Sequence, residues 1–256
     1  LVRINARPAK GYGPRRASVV EVIGRLDDPR AASIIAMHTH GVPDEFPQAV
    51  IDDAAKAKAA PAPREDLTRI PLITIDPEDA RDHDDACHAH ADEDPTNAGG
   101  HIVWVAIADV AHYVTPGSAL DREARNRGNS TYFPDRVVPL LPDRPSGDLC
   151  SLHEGVARAV VAVWMKLDSK GRKISPRFSR ATIKSVASLN YAEVQEARDG
   201  RPNERCAPLI EKVVAPLYAA YEATKVARTM RQPLDLDLPE RRIVLGEDGR
   251  VTSVAF

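Results

Sequence analysis

The chain has little of what often decides a function class at sight. Its three cysteines, Cys87, Cys150 and Cys206, stand far apart in 256 residues. So sparse and odd a set builds no disulfide framework; it fits a reducing compartment, the cytoplasm, with no disulfide-linked partner. No apolar run approaches the roughly 20 residues that span a bilayer. The opening LVRINARPAKGYGPRR lacks an apolar signal-peptide core, so no membrane partner is expected. Net charge is only −2, so a site for a polyanion has to be a local basic patch. There is no internal repeat, and no low-complexity segment beyond the Pro- and Ala-rich stretch at 60–66.

What is present is ordinary for a globular protein: 43% hydrophobic and 28% charged residues. The length suits one large domain, or one domain plus a smaller piece. Residues 1–24 read as short strands around a Gly-containing turn. DDPRAASIIAMHTHG reads as a helix capped by Asp27 or Asp28, with Pro29 in its first turn and Gly41 at its stop. Residues 46–59 predict a second helix, and 60–66 a linker into the main domain.

Beyond the linker, IPLITID (70–76) predicts a buried strand, ACHAHA (86–91) a strand with alternating faces, and HIVWVAIADVAHYV (101–114) a strong strand. Residues 116–129 predict a short helix capped by Ser118 and ended by Gly128. Two strands, 156–168 and 176–189, are joined by the turn SKGRK. A long helix follows over about 204–231, and a closing hairpin turns on Glu247-Asp248-Gly249. This order of elements predicts an α+β domain with a mixed or antiparallel sheet and packed helices.

One stretch stands apart. TIDPEDARDHDD (74–85) holds six acidic residues and one Arg. Carboxylates this close repel one another and raise one another's pKa. A strand ending at Asp76 and a loop returning through Asp82, Asp84 and Asp85 can aim four carboxylates into one pocket. Such a pocket suits a pair of divalent cations roughly 4 Å apart, the arrangement that hydrolyses phosphodiesters. The residues alone leave a solvated acidic loop as the alternative. A calcium loop of the EF-hand type lacks its Gly and spacing. A zinc site of Cys87, His88 and His90 lacks a second ligand cluster.

ITIDPEDARDHDDA resembles the signature of the ribonuclease II / ribonuclease R family of exoribonucleases. There, an Asp after TI is followed six, eight and nine residues later by three more; here these are Asp76, Asp82, Asp84 and Asp85. The resemblance continues through VAIADVAHYVTPGSALDREARNRGNSTYFPDRVVPLLP, LCSL, ATIKSVASLNYAEV and LDLPERRIVLGEDGRV, and is closer to the ribonuclease R branch. It implies Mg²⁺-dependent hydrolysis (Mn²⁺ can substitute) of single-stranded RNA from the 3′ end, releasing nucleoside 5′-monophosphates. It implies metal-binding and catalytic roles for the four aspartates, Asp84 foremost, and a protein that is monomeric at full length. Tyr132 matches the Tyr that clamps the 3′-terminal nucleotide, and Tyr191 a second that contacts the nucleotide near the active site and contributes to the preference for ribose. Arg127, on the helix before Tyr132, joins them as an RNA-binding expectation. Glu78 and Asp79 match no ligand position.

By the same likeness, residues 1–24 are the end of a cold-shock-type OB β-barrel and 25–65 a helical connection. Residues 66–256 are the N-terminal half of a catalytic domain that continues past Phe256 to an arginine-bearing motif. A fragment of that kind would have an incomplete active site, so a non-catalytic RNA-binding fragment or degenerate relative is the second expectation. A metal-binding structural protein is the third. His83 and Pro77 depart from the family's usual residues without removing a ligand. From Lys170 to Lys184 six basic residues and no acidic one occur, either a phosphate-binding stretch or the solvated face of a strand pair.

Overall fold

The computed structural model describes residues 1–4, 16–25, 28–58, 63–80, 82–234, 236, 238–239 and 241–255. It begins with strands β1 (Val2–Ile4) and β2 (Ala17–Val19) and helices α1 (Ala31–His40) and α2 (Gln48–Lys56). Strands β3 (Glu65–Asp66), β4 (Ile73–Asp76), β5 (Asp85–Ala91) and β6 (His101–Ala108) follow, then helices α3 (Val110–Tyr113) and α4 (Ala119–Arg127). Next come β7 (Thr131–Phe133) and β8 (Arg136–Val138), then β9 (Ala157–Leu167), β10 (Lys173–Lys184) and β11 (Ala187–Asn190). Helices α5 (Tyr191–Arg198) and α6 (Ala215–Met230) and the hairpin β12 (Arg242–Leu245) and β13 (Val251–Ala255) complete the chain.

These elements group into two compact units, neither of them bounded at residue 24 or 65. One comprises residues 1–48, 122–141 and 236 onward, and holds three antiparallel pairs, β1–β2, β7–β8 and β12–β13. The other comprises 49–121 and 142–235 and holds a seven-stranded sheet in the order β11-β4-β5-β6-β9-β10-β3. That sheet is mixed: β3 runs parallel to β10 and β11 parallel to β4, while the remaining pairs are antiparallel.

The connection from β10 to β11 dictates the sheet's shape. Five strand spacings separate them in the order, about 24 Å across a flat sheet at roughly 4.8 Å each. The chain covers the gap between Lys184 and Ala187, a reach of about 11 Å at most. The sheet therefore has to curl until its edges approach. The join is visible where Val186 N–H donates to Leu72 O (2.9 Å) and the buried Ser185 hydroxyl donates to Ala187 O (2.9 Å).

Strict alternation in β6 buries Ile102, Trp104, Ala106 and Ala108, which join Leu72, Leu152, Val160 and Ile183 in one core. A second core forms where Ile73 and Leu189 meet Val194, Cys206, Val213 and Val214. The β9–β10 turn packs against α6 through Gly171. Its φ is +72°, and a Cβ there would run into the backbone of Ala223. Gly171→Ala is expected to cost about 2 kcal/mol or more; a thermal melt within a degree of the parent's would contradict this close approach.

Several elements differ from the sequence reading, each for a tertiary reason. The strand over 101–114 ends at Ala108: Asp109 N–H still reaches Ala159 O (3.0 Å), but its side chain is held by Arg64 and the chain turns into α3. The run 176–189 is two strands, parted at Ser185. The end of the linker is no linker: Glu65 and Asp66 pair with β10. Helix α1 starts after Arg30, with Asp28 accepting from Arg30 N–H (2.9 Å) without capping the helix; Asp27 lies outside the described residues. The long helix is α-helical from Ala215, preceded by a wide turn over Ile210–Val214. Helix α2, the Ser118 cap, and the stops at Gly41 (φ +65°) and Gly128 (φ +79°) stand as read. The turn read within residues 5–15 lies outside the described residues.

Candidate active site

The acidic stretch lies at one end of the seven-stranded sheet. Ile73 faces Cys87 in the β4–β5 pair, so Asp76 at the end of β4 and Asp85 at the start of β5 share that end. Asp85 faces Ile107 of β6, and Ala108 N–H donates to Asp84 O (2.8 Å). Asn190, the last residue of β11, lies opposite Asp76. The loop between the strands is stapled from below by LCSL. Leu152 N–H donates to His83 O (2.6 Å), and His83 N–H donates to Ser151 Oγ (3.2 Å). Backbone bonds on both sides thus fix residues 83 and 84 before their side chains are considered.

Asp76 is buried, with His83 Nδ1 2.7 Å from its Oδ2. Asp82, Asp84 and Asp85 are exposed, as are Glu78 and Asp79. Asp85 carries the electrostatic signature of crowding. Partial desolvation, then the charges of Asp84 and Asp76, push its pKa above the ordinary carboxylate value. The nearby Cys87 thiol is pushed up to about 12 by burial, with Asp85 and Asp76 adding to it. Burial, with Asp109 next, pushes Cys150 up to about 12 as well. Thiols held this far above neutrality are protonated and poor nucleophiles. Burial, with a contribution from His90, pushes His88 down to about 4, so that ring is neutral near pH 7.

Among the described residues, no group of three or more His, Cys, Asp or Glu side chains is arranged to hold a metal ion. The zinc reading of Cys87, His88 and His90 gains nothing from the structure. The donor chemistry of Asp76, Asp84 and Asp85 does fit a hard divalent cation: short oxygen ligands, mutually repelling, with Asp85 already disfavoured as an anion. His83 engages one oxygen of Asp76, and Asp82 stands exposed in the loop.

A family model, the RNB domain, matches residues 64–255. The chain belongs to the RNB family. It is 37% identical to ribonuclease R of Vibrio parahaemolyticus over 261 residues, covering 99% of this chain and 30% of that protein. It is 39% identical to ribonuclease R of Escherichia coli K12 over 264 residues, covering 99% and 31%. The chain thus spans about a third of the length of these relatives. Mycoplasma genitalium RNase R in complex with ribose-methylated single-stranded RNA superposes with a TM-score of 0.85 at 31% identity, over 94% of this chain and 38% of that one.

The other residues expected to serve an RNB site have contrasting surroundings. Tyr191 opens α5 directly after Asn190 and is 61% exposed. Asn190 accepts from Glu193 N–H (2.8 Å) while the Glu193 carboxylate accepts from Asn190 N–H (2.9 Å), a reciprocal cap that fixes where Tyr191 starts the helix. Tyr132, in the other unit, is 71% exposed on β7. Its neighbour Phe133 is half-buried. Arg127 is engaged within its own unit. Its guanidinium donates to Glu123, Pro139 O and Glu45 O and lies 3.7 Å from the centre of the Phe46 ring. Of the six basic residues between Lys170 and Lys184, Arg172, Arg177 and Arg180 pair with Asp168, Glu65 and Asp109. Those three belong more to the strand-pair reading than to a free phosphate-binding run.

Sequence reasoning missed a buried ion pair behind the site. Arg64 Nη2 donates to Asp109 Oδ2 at 2.7 Å, with side chains only 6% and 0% exposed. By sequence alone Arg64 falls in the linker, and Asp109 in the middle of a strand. An Asp inside an otherwise apolar run was the one signal available.

Proposed function

We propose that this chain is catalytic-domain sequence of an exoribonuclease that hydrolyses single-stranded RNA from the 3′ end with Mg²⁺, releasing nucleoside 5′-monophosphates. The observation that carries the reading is the gathering of Asp76, Asp84 and Asp85 at one sheet end, where partial burial and then the charges of Asp84 and Asp76 raise the pKa of Asp85. Membership of the RNB family and the likeness to ribonuclease R support it. Asp76, Asp82, Asp84 and Asp85 would hold the metal, which when bound activates water and neutralises developing charge on the phosphate. The chain's own residues do the positioning. The backbone bonds to residues 83 and 84 fix the loop, His83 orients Asp76, and Tyr191 and Tyr132 offer exposed rings for stacking on bases. Residues 1–24 serve as the end of a cold-shock-type domain, and the cytoplasm is the expected compartment, with a monomer as the full-length form.

The test uses 5′-labelled single-stranded RNA. With Mg²⁺ it is expected to shorten progressively, to stop shortening in EDTA, and to resume when Mg²⁺ is restored. A ladder that persists in EDTA contradicts the metal reading. The second reading, a non-catalytic RNA-binding chain, draws on the absence of a preformed three-ligand cluster among the described residues. Filter binding that persists in EDTA, with no product in Mg²⁺ or Mn²⁺, would favour it.

A further inference from the structure

A groove of about 510 Å³ opens beside the end of β4, and the four aspartates do not account for it. Its walls include Ile75, Tyr191, Val194, Arg198, Tyr218 and Tyr221. Tyr191 and Tyr221 are 61% and 50% exposed, so their rings bury little of themselves within the chain. Tyr218 and Tyr221 meet edge to face, with ring centres 6.2 Å apart. The Arg198 guanidinium lies 4.5 Å from the centre of Tyr218, and its Nη2 donates to Glu222 (2.7 Å).

The position of the groove is its most informative property. Ile75 immediately precedes Asp76, and Asn190, immediately before Tyr191, lies opposite Asp76. Strand neighbours face opposite ways, so Ile75 shares its sheet face not with Asp76 but with Asp85, which the β4–β5 register sets opposite it, and this wall adjoins the carboxylate end of the sheet. We propose that this groove seats a nucleobase of the RNA strand whose phosphodiester lies at Asp76, with Tyr218 and Tyr221 as base-contacting residues alongside Tyr191. This assignment rests on the exoribonuclease reading.

Two exposed tyrosines, Tyr191 and Tyr221, and the half-buried Tyr218 offer flat, polarisable rings that any base can stack on, whatever its sequence. The Arg198 guanidinium covers one side of Tyr218 and is itself a planar cation that can contribute to holding a base. Glu222 is shared by Arg198 and Lys225 (3.2 Å), so the groove keeps a cation beside its rings, while the stacking that the uncharged tyrosines add is nearly independent of salt. A protein segment would also cover an apolar groove. The proximity to Asp76 favours the RNA base, and a protein occupant is one outcome of the test.

The experiment uses the full chain and a short single-stranded RNA carrying 2-aminopurine in place of the bases nearest the 3′ end, in EDTA so that none is cut. Binding to the parent protein is expected to quench the probe at one position. Tyr218→Leu and Tyr221→Leu are expected each to relieve that quenching and raise Kd about tenfold. Tyr221→Phe keeps the ring and should bind like the parent. Thermal melts of all three show whether the fold is retained. For folded variants, the loss in Kd should be the same at low and high salt. If the parent binds RNA and both Leu variants bind and quench within twofold of it, the inference is wrong and the groove serves a protein partner or packing. A parent that neither binds nor shortens RNA would overturn the exoribonuclease reading itself, and this inference with it.

Discussion

Asp84→Asn is expected to stop RNA shortening while leaving RNA bound. The change removes a charge and almost no volume from an exposed side chain, so the fold has little reason to respond. The bond that locates residue 84, from Ala108 N–H to its carbonyl, belongs to the backbone and survives. In the proposed mechanism, what would be lost is one anionic oxygen ligand at the point where the phosphate would react. Removing a preorganised group of this kind lowers kcat on the order of 10²–10³-fold. RNA affinity should hold or rise slightly, since one negative charge facing a polyanion has gone. The pKa of Asp85 should also fall toward its ordinary value, because the Asp84 charge helps to hold it up. Asp79→Asn, on an exposed acid of the same loop that matches no ligand position, should change kcat by less than about twofold. Equal rates for Asp84→Asn and the parent would remove the aspartates from the mechanism.

Arg64→Ala should be the most destabilising single change in the unit that carries the site. It would strand the Asp109 carboxylate, fully buried at the end of β6. Removing one partner of a buried ion pair costs about 3–5 kcal/mol, which in a unit of this size lowers Tm by roughly 10 °C or more. Arg180 Nε stands 3.5 Å from the same Asp109 oxygen but is 61% exposed, so Arg180→Ala should cost less than about 1 kcal/mol. The pair is itself imperfectly satisfied: Arg64 Nε and Asp109 Oδ1 are buried without hydrogen-bond partners. Replacing both members with apolar residues, Arg64→Met with Asp109→Leu, should therefore recover most of the loss. A double variant no better than Arg64→Ala, or a single variant that melts with the parent, would show that the pair is not what holds this end of the sheet. The same bond has a consequence for the site. Asp109 ends the strand whose preceding residue, Ala108, holds the backbone of Asp84.

Much of this protein was legible from residues in order. The spacing of Asp76, Asp82, Asp84 and Asp85 pointed to the family, because an acidic loop is local and its carboxylates are counted along the chain. Alternation gave β5 and β6, since a period of two reports a strand with unequal faces. Gly41 and Gly128 marked helix ends because their positive φ suits Gly best. Tertiary structure decided what depends on partners distant in sequence. Periodicity tells which face is buried, not which strand covers it, so nothing in the run 176–189 showed that it would part at Ser185 and join the opposite edge of the sheet. Composition called residues 60–66 a linker, yet Arg64 meets an acid 45 positions away. The place of Arg127 before Tyr132 is legible in sequence, but its partners, the carbonyls of Glu45 and Pro139 and the ring of Phe46, are not. The tyrosine groove likewise exists only because α5 packs on β4 while α6 packs on β5 and β6, with Arg198 of α5 reaching Tyr218 and Glu222 of α6. In each case the deciding energy is a contact between residues far apart in sequence, which a sequence read in order does not display.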